Sequence, residues 1–236
     1  MMKTIRYGDV GTAVLQWQRF LGLDECTALF GHATENATRK WQRANNLTPD
    51  GIVGPKTWGA SGIRAPRITE DIPDDFFPAL VKVARKLDAN PKRMMAVMFS
   101  ESACRADAWN NDPKSLPPEK RWNASGLIQF MPATLLILGW TEGHAAFRTL
   151  TATRQLEWVE KYYSPFKGSL GSVAAIYVAT FLPALVKHAG DPDFVLTAKM
   201  GPLPWAYPPN MAFDVNGDGK ITVWELEQAV ARSCTG

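Results

Sequence analysis

Cysteine, histidine and long apolar runs are all scarce in this chain of 236 residues, which contains three cysteines and three histidines. Cys26, Cys104 and Cys234 lie far apart and form no C-x-x-C pair, so neither a disulfide framework nor a zinc knuckle is implied. The histidines have no metal-ligand spacing. The first residues contain no apolar segment of the kind found in secretory signals, so no cleavable signal is expected.

The chain also lacks a large excess of charge of either sign, since it has 26 basic and 23 acidic residues and a net charge of +3. So small an excess does not indicate a nucleic-acid partner, and none is expected. The excess lies in residues 1–66, which hold 8 basic and 5 acidic side chains. Hydrophobic residues make up 46% of the chain and charged residues 21%, which is the balance of a globular protein with a buried core.

The candidate for a membrane span is the uncharged segment 168–186. It is barely long enough to cross a bilayer, and glycine, serine, threonine and proline dilute its apolar character. We interpret it as a helix of the protein core. The sequence therefore predicts a soluble monomer without an integral membrane segment.

A short helical unit is repeated within the first sixty residues. The motif W-Q-R occurs at 17–19 and again at 41–43, and Thr34 of one copy corresponds to Thr57 of the other, at a spacing of about 24 residues. Each copy predicts an amphipathic helix, a glycine-bearing turn and a further helix that begins at a capping threonine.

Three motifs in this region carry a family resemblance: G-D-x-G-x-x-V at 8–14, the W-Q-R helix, and D-G-I-V-G-P-K-T-W at 50–58. Together they resemble a peptidoglycan-binding domain of the three-helix type over about residues 4–60. The resemblance implies bacterial peptidoglycan as the partner of a domain at 1–62. A segment with glycine, serine and proline but no periodicity follows, which predicts a linker at 63–75. The alternative is a small helical domain that uses the same tryptophans and glycines only for its core and turns.

Residues 76–236 are predicted to form a second, mostly α-helical domain. Apolar residues recur at helical spacing over 76–87, and Asn90-Pro91 has the form of an N-cap followed by proline at the first helical position. The helix that follows is apolar on all sides over 94–99, so it should cross the core. Further helices are expected from Pro132, at 153–163 and at 173–186, whereas strand signals are weak.

Glu101 directly follows the apolar stretch of that core helix. Apolar surroundings disfavour a charged carboxylate and raise its pKa, and a carboxylic acid that keeps its proton near neutral pH can protonate a leaving glycosidic oxygen. The alternative is a glutamate at a helix end that simply reaches solvent.

The order of motifs around Glu101 resembles the lytic transglycosylase family, whose domain has the goose-type lysozyme fold. The resemblance covers about 77–190 and rests on E-S at 101–102, N-A-S-G-L-I-Q-F-M-P-A-T at 123–134, and an apolar helix that carries a tyrosine. The family pattern usually has glycine at position 123, methionine at 128 and Y-N-A-G where this chain has Y-V-A-T. The resemblance implies one catalytic residue, Glu101, and four substrate-binding residues in the groove around it: Ser125, Gln129, Met131 and Tyr177.

The mechanism implied by the resemblance uses one carboxyl group and no cofactor. Glu101 would protonate the oxygen of the β-1,4 bond between N-acetylmuramic acid and N-acetylglucosamine, and the substrate's own hydroxyl would close a 1,6-anhydro ring. A hydrolytic muramidase would instead use water and usually a second carboxylate, for which Asp107 and Asp112 are available. A non-catalytic wall-binding virion protein is the alternative outside the enzyme class.

Residues 214–225 fit the twelve-residue EF-hand loop, with a glycine at position six and oxygen ligands in register. We expect a structural Ca²⁺ at a lone or dockerin-like loop, because a helix at 223–232 follows it while prolines crowd the approach. The alternative is a turn that binds no metal. The expected ligands are Asp214, Asn216, Asp218, Lys220 through its backbone carbonyl, Thr222 and Glu225.

A wall-binding domain joined to a glycan-cleaving domain resembles a modular phage endolysin. The resemblance implies synthesis in the host cytoplasm and action on the cell wall after release. A virion-associated lysin, or a transglycosylase exported without a classical signal, remains an alternative.

Overall fold

The computed structural model describes residues 4–23, 29–63, 72–73, 75–111 and 123–233. Within these ranges the chain is mostly α-helical, as predicted, with short 3-10 helices and two small antiparallel sheets. Most of the predicted linker, the Pro-rich segment 112–122, and two of the cysteines, Cys26 and Cys234, lie outside the described residues. The linker and the domain boundaries therefore stay predictions.

Three helices form the N-terminal unit: α1 (Thr12–Phe20), α2 (His32–Ala44) and α3 (Pro55–Ser61). Each contributes one tryptophan to a common cluster. The Trp17 ring lies edge-on to Trp41, with 5.2 Å between ring centroids, and edge-on to Trp58 at 5.3 Å. Such edge-to-face pairs stabilise a small core beyond the burial of their surface.

The repeat also has a polar counterpart, which corrects one prediction. The amide of Gln18 donates to the Thr34 hydroxyl at 2.9 Å, and the amide of Gln42 donates to the Thr57 hydroxyl at 3.2 Å. Both threonines lie inside their helices, and glycine occupies the N-cap position in each case. The threonines therefore do not cap the helices, because their hydroxyl groups accept from a glutamine of the preceding helix.

The second unit contains seven α-helices within the described ranges. Its centre is α5 (Pro91–Ser102), which packs against α4 (Phe76–Lys86), α9 (Val173–Phe181) and α10 (Val223–Ser233). As predicted, Asn90 caps α5, since its side chain accepts from the backbone N–H groups of Lys92 and Arg93. The remaining helices of this unit are α6 (Pro132–Ile137), α7 (Gly143–Phe147) and α8 (Ala152–Tyr163).

Two short hairpins complete this unit. Strand β1 (Trp109–Asn111) pairs with β2 (Asn123–Ser125) so that Trp109 lies opposite Ser125. Strand β3 (Val195–Ala198) pairs with β4 (Lys220–Thr222), which holds the C-terminal loop against the core. The intervening 3-10 helices are Ser164–Phe166, Pro183–His188, Pro204–Ala206 and Pro208–Phe213.

The predicted helix at 173–186 is shorter than expected. Helix α9 ends at Phe181, and a 3-10 helix begins at Pro183, because proline has no backbone N–H and clashes with the preceding turn. Residues 174–179 are buried, so the core assignment is confirmed. Among the described helices, none combines the length and the apolar character that crossing a bilayer requires.

Apolar side chains gather in two clusters. One belongs to the N-terminal unit and contains Trp17, Phe30 and Trp58. The other fills the second unit, and Leu15 of α1 also packs into it. The described chain thus has a small core and a large one, and α1 contributes to both.

Candidate active site

A cleft of about 540 Å³ opens on the second unit, beside the C-terminal end of α5. Its volume is within the range of sites that enclose small organic ligands or a few sugar units. Four of the five residues predicted from the sequence line this cleft: Glu101, Gln129, Met131 and Tyr177.

Glu101 occupies the penultimate position of α5, and the core of the unit fixes that position. Residues 94–98 of the helix are buried. The Ser102 hydroxyl donates to the carbonyl of Leu127 at 2.9 Å, which ties the helix end to the following turn. The helix stops at Ala103, whose backbone is left-handed. A rigid apolar helix therefore carries the carboxyl group to the cleft.

Burial raises the pKa of the Glu101 carboxyl to about 7, and a hydrogen bond from the Tyr177 hydroxyl opposes part of that rise. Desolvation dominates because the low-dielectric surroundings disfavour the charged form. The carboxyl group therefore holds its proton close to neutral pH and can also release it there. That combination is what a group needs to serve in turn as acid and as base.

Two further tyrosines, Tyr162 and Tyr163, interact electrostatically with this carboxyl group, and neither was predicted from the sequence. Burial together with the Glu101 charge raises the pKa of Tyr162 to about 12, and burial also raises the pKa of Tyr163. The Tyr162 hydroxyl donates to the Ala179 carbonyl at 2.9 Å, and the Tyr163 and Thr180 hydroxyl oxygens lie 2.5 Å apart. The tyrosines stay neutral where Glu101 titrates. The sequence signal was only an aromatic pair at the end of α8.

The turn at 126–129 shapes the opposite wall. Gly126 has φ +76°, and a Cβ there would lie 2.3 Å from the Gln155 side-chain oxygen. That same oxygen accepts from the Leu127 backbone N–H at 3.1 Å. Gln129 donates one amide hydrogen to the Gly126 carbonyl at 3.0 Å, which leaves its second amide hydrogen for a ligand. Met131 follows at the N-cap of α6 and is 38% exposed.

Ser125 does not take the position predicted for it. Its side chain is fully buried, and its hydroxyl oxygen lies 2.8 Å from Nδ1 of His144 on α7. This contact places the Ser125 side chain against α7, and Ser125 is not among the residues of the described cleft wall. Its role in bonding the sugar therefore stays a prediction. The residue joins the hairpin to α7.

The second carboxylate that a hydrolase usually uses is absent from the described cleft wall, where Glu101 is the one acidic residue. Asp107 pairs with Arg105 at 2.9 Å, and its side chain is 42% exposed. Asp112 lies outside the described residues.

The remaining wall comes from residues that the sequence did not single out, notably Trp109, Asn110, Asn210 and Phe213. Trp109 and Asn110 belong to β1, whereas Asn210 and Phe213 lie on the 3-10 helix that leads into the predicted calcium loop. No spacing in the sequence relates either segment to Glu101. Only the folded chain brings them together.

The predicted calcium loop follows Phe213 directly. Carboxylate oxygens of Asp214, Asp218 and Glu225 all lie within 4.8 Å of one another. Glu225 is fully buried, and its carboxylate accepts from the backbone N–H groups of Val215 and Thr222 at 3.1 and 2.9 Å. A short 3-10 helix precedes the loop and α10 follows it, as the sequence predicted for an isolated loop.

Comparison with known proteins identifies a family and a solved structure that resemble this chain. Residues 23–60 match the family model described as "Putative peptidoglycan binding domain". The match confirms the predicted resemblance over those residues. The chain is also similar to the crystal structure of a Burkholderia AP3 phage endolysin, at 20% identity and a TM-score of 0.38, over 99% of this chain and 100% of that one.

Proposed function

We propose that this protein is a peptidoglycan-degrading endolysin that cleaves the β-1,4 bond between N-acetylmuramic acid and N-acetylglucosamine. The observation that carries the proposal is Glu101, the one carboxyl group on the described cleft wall, whose pKa burial raises to about 7. The family match of residues 23–60 supports peptidoglycan as the substrate, since a wall-binding unit would hold the cleft close to its glycan.

The proposed reaction needs no group beyond Glu101 and the substrate itself. The protonated carboxyl donates its proton to the glycosidic oxygen as the bond from that oxygen to C1 of N-acetylmuramic acid breaks. The C6 hydroxyl of the same sugar then attacks C1 and returns its proton to the Glu101 carboxylate. The products are a 1,6-anhydro end and a new hydroxyl end, and the enzyme regains its starting protonation state.

Tyr177 has a supporting role in this scheme. Its hydroxyl donates to the Glu101 carboxylate, and burial raises its own pKa well above the usual value. It therefore remains a hydrogen-bond donor over the whole working range of Glu101. We propose that it orients the carboxyl group and stabilises its ionised form between the two proton transfers.

The test is release of soluble fragments from purified peptidoglycan sacculi by the full chain. Glu101→Gln should abolish release, because an amide cannot donate the proton, while the variant should still sediment with sacculi. Glu157→Gln is the matched control, since that glutamate is on α8 with a side chain that is 57% exposed. Equal release by all three proteins would contradict the assignment of Glu101.

We also propose that loop 214–225 binds Ca²⁺ as a structural ion. The donor set fits a hard cation, because carboxylate oxygens of Asp214, Asp218 and Glu225 converge and Glu225 is fully buried. Asn216, Thr222 and the Lys220 carbonyl would supply the remaining oxygens. A divalent cation would relieve the repulsion among the three carboxylates.

Calorimetric titration with Ca²⁺, alongside thermal unfolding with and without the ion, tests this second proposal. The chain should bind one ion and unfold at a higher temperature with it. Glu225→Gln should lose both effects. Glu227→Gln, the same substitution two residues along α10, should keep them. No heat of binding for the unchanged chain would contradict the proposal.

A further inference from the structure

Trp109 is a large aromatic side chain on the cleft wall with nearly half of its surface, 48%, exposed. Burying such a ring is favourable, so an exposed one inside a cleft indicates that a ligand covers it. Its neighbours on the same cleft wall include the polar side chains of Asn110 and Gln129. The ring thus offers an apolar surface beside hydrogen-bonding groups.

The side chain of Arg148 packs against the Trp109 ring. Its guanidinium carbon lies 4.5 Å from the centroid of the Trp109 ring, which is the geometry of a cation–π contact. Nε of Arg148 is buried and has no hydrogen-bond partner among the described residues. The guanidinium therefore covers one face of the indole, while 48% of the Trp109 surface stays exposed.

The backbone around Trp109 is also fixed at several points. Trp109 lies opposite Ser125 in the β1–β2 pair, and the Ser125 hydroxyl is bonded to His144 of α7. Arg148 is the C-cap residue of that same helix. The hairpin that carries the indole and the helix that carries the guanidinium are therefore joined directly.

We propose that Trp109 is a stacking platform for one pyranose ring of the glycan strand, and that Arg148 is the positioning residue that holds the indole in place. The axial C–H bonds of a β-linked hexosamine give the ring an apolar face, while its hydroxyl and acetamido groups point outward to polar partners. An indole with polar neighbours matches that pattern. A peptide stem has no such flat apolar face.

This inference rests on the proposed function for the identity of the glycan, but its test is separate from cleavage. The full chain with Glu101→Gln binds without turnover, and the probe is soluble peptidoglycan glycan strands freed of peptide by an amidase. Binding is followed by calorimetry and by tryptophan fluorescence. In this background Trp109→Ala should raise the dissociation constant about tenfold, whereas Trp109→Phe should keep most of the affinity.

Trp205→Ala is the matched control, because Trp205 is 67% exposed and lies outside the cleft wall. In the active protein, Trp109→Ala should raise KM by the same factor and change kcat by less than about threefold, since uniform binding is lost. Arg148→Ala should raise KM to a smaller extent, and Arg148→Lys should restore much of it. A merely structural role for Arg148 would lower thermal stability without this split.

The inference is overturned if Trp109→Ala binds the strands as tightly as its parent, if Trp205→Ala loses as much affinity, or if the parent does not bind peptide-free strands. Cleavage of sacculi together with an unaffected Trp109→Ala variant would leave the proposed function standing and remove the platform. Strand binding that depends on Trp109, without any cleavage by the active chain, would support the platform and contradict the proposed function.

Discussion

The ring of Phe213 packs edge-on against the ring of Tyr177, with 5.7 Å between their centroids. Tyr177 in turn hydrogen-bonds to Glu101, and Phe213 immediately precedes the first residue of the acidic loop, Asp214. Two aromatic rings therefore connect the loop to the carboxyl group on which the proposed reaction depends. A change in the position of the loop should therefore alter the surroundings of the Glu101 carboxyl group, and with them its pKa.

Phe213→Ala should lower the pKa of Glu101. Removing the ring opens the cleft wall and lets water reach the carboxyl group, which weakens the desolvation that raises its pKa. The fall of activity at high pH should then occur about one pH unit lower than in the unchanged protein. Phe213→Leu, which keeps an apolar side chain, should move it less. The pH dependence of kcat/KM for fragment release measures both, and identical profiles would contradict the connection.

The activity of the unchanged protein should fall as pH rises through about 7. The first step requires a protonated Glu101, and the pKa of that group is raised to about 7 by burial. Above that pH the acid form is lost, so kcat/KM should decrease about tenfold for each further unit. A profile that stays flat to pH 9 would show that Glu101 is not the acid, and a fall near the ordinary carboxyl value would contradict the raised pKa.

Glu101→Gln should stabilise the fold at pH 8 and leave it unchanged at pH 4. The folded pKa of about 7 lies above the ordinary value of 4.5, so the native state binds the proton more tightly than the unfolded state. Glu101 therefore destabilises the fold increasingly as pH rises from 4.5 to 7, by at most about 3 kcal/mol. Contact with the open cleft should reduce the measured gain to about half.

Urea unfolding of both proteins at the two pH values measures this difference. Glu157→Gln should show no pH-dependent gain, because its side chain is 57% exposed. If Glu101→Gln were less stable than the unchanged protein at pH 8, the carboxyl group would be contributing to the fold and the account of its burial would be wrong.

Gly126→Ala should destabilise the second unit by about 2–4 kcal/mol. The new Cβ would lie 2.3 Å from the Gln155 side-chain oxygen and 3.0 Å from the Phe147 ring, in a backbone conformation with φ +76°. Gly139→Ala is the control, since its φ is +94° but a Cβ would meet nothing within 4 Å. The control should lose only about 1–2 kcal/mol from backbone strain. Equal losses in chemical unfolding would mean that the close approach at Gly126 has no energetic consequence.

Local signals in the sequence predicted what local interactions determine. The Asn90 cap and the all-round apolar helix after it were sufficient to place α5 and to bring Glu101 to its end. Pro183 was a visible signal for the end of α9 that the prediction passed over. These features depend on residues within one or two turns of each other, where the backbone's own requirements dominate.

The features that were missed depend on contacts between distant segments. Thr34 and Thr57 have the residue type of N-caps, but partners on a preceding helix occupy their hydroxyl groups. Ser125 lies in a motif typical of a sugar-binding groove, yet its hydroxyl group contacts His144 of α7. Trp109 lies on the cleft wall beside Glu101 only because the folded chain brings β1 to the end of α5. The periodicity of a sequence does not predict contacts between such distant segments.

Mass spectrometry of the fragments released from purified peptidoglycan tests the central claim most directly. With one carboxyl group acting as acid and then as base, the products should have the mass of 1,6-anhydro muropeptides, and Glu101→Gln should release none. Fragments heavier by one water would contradict the single-carboxyl route. They would show that water is the nucleophile, as in a hydrolytic muramidase.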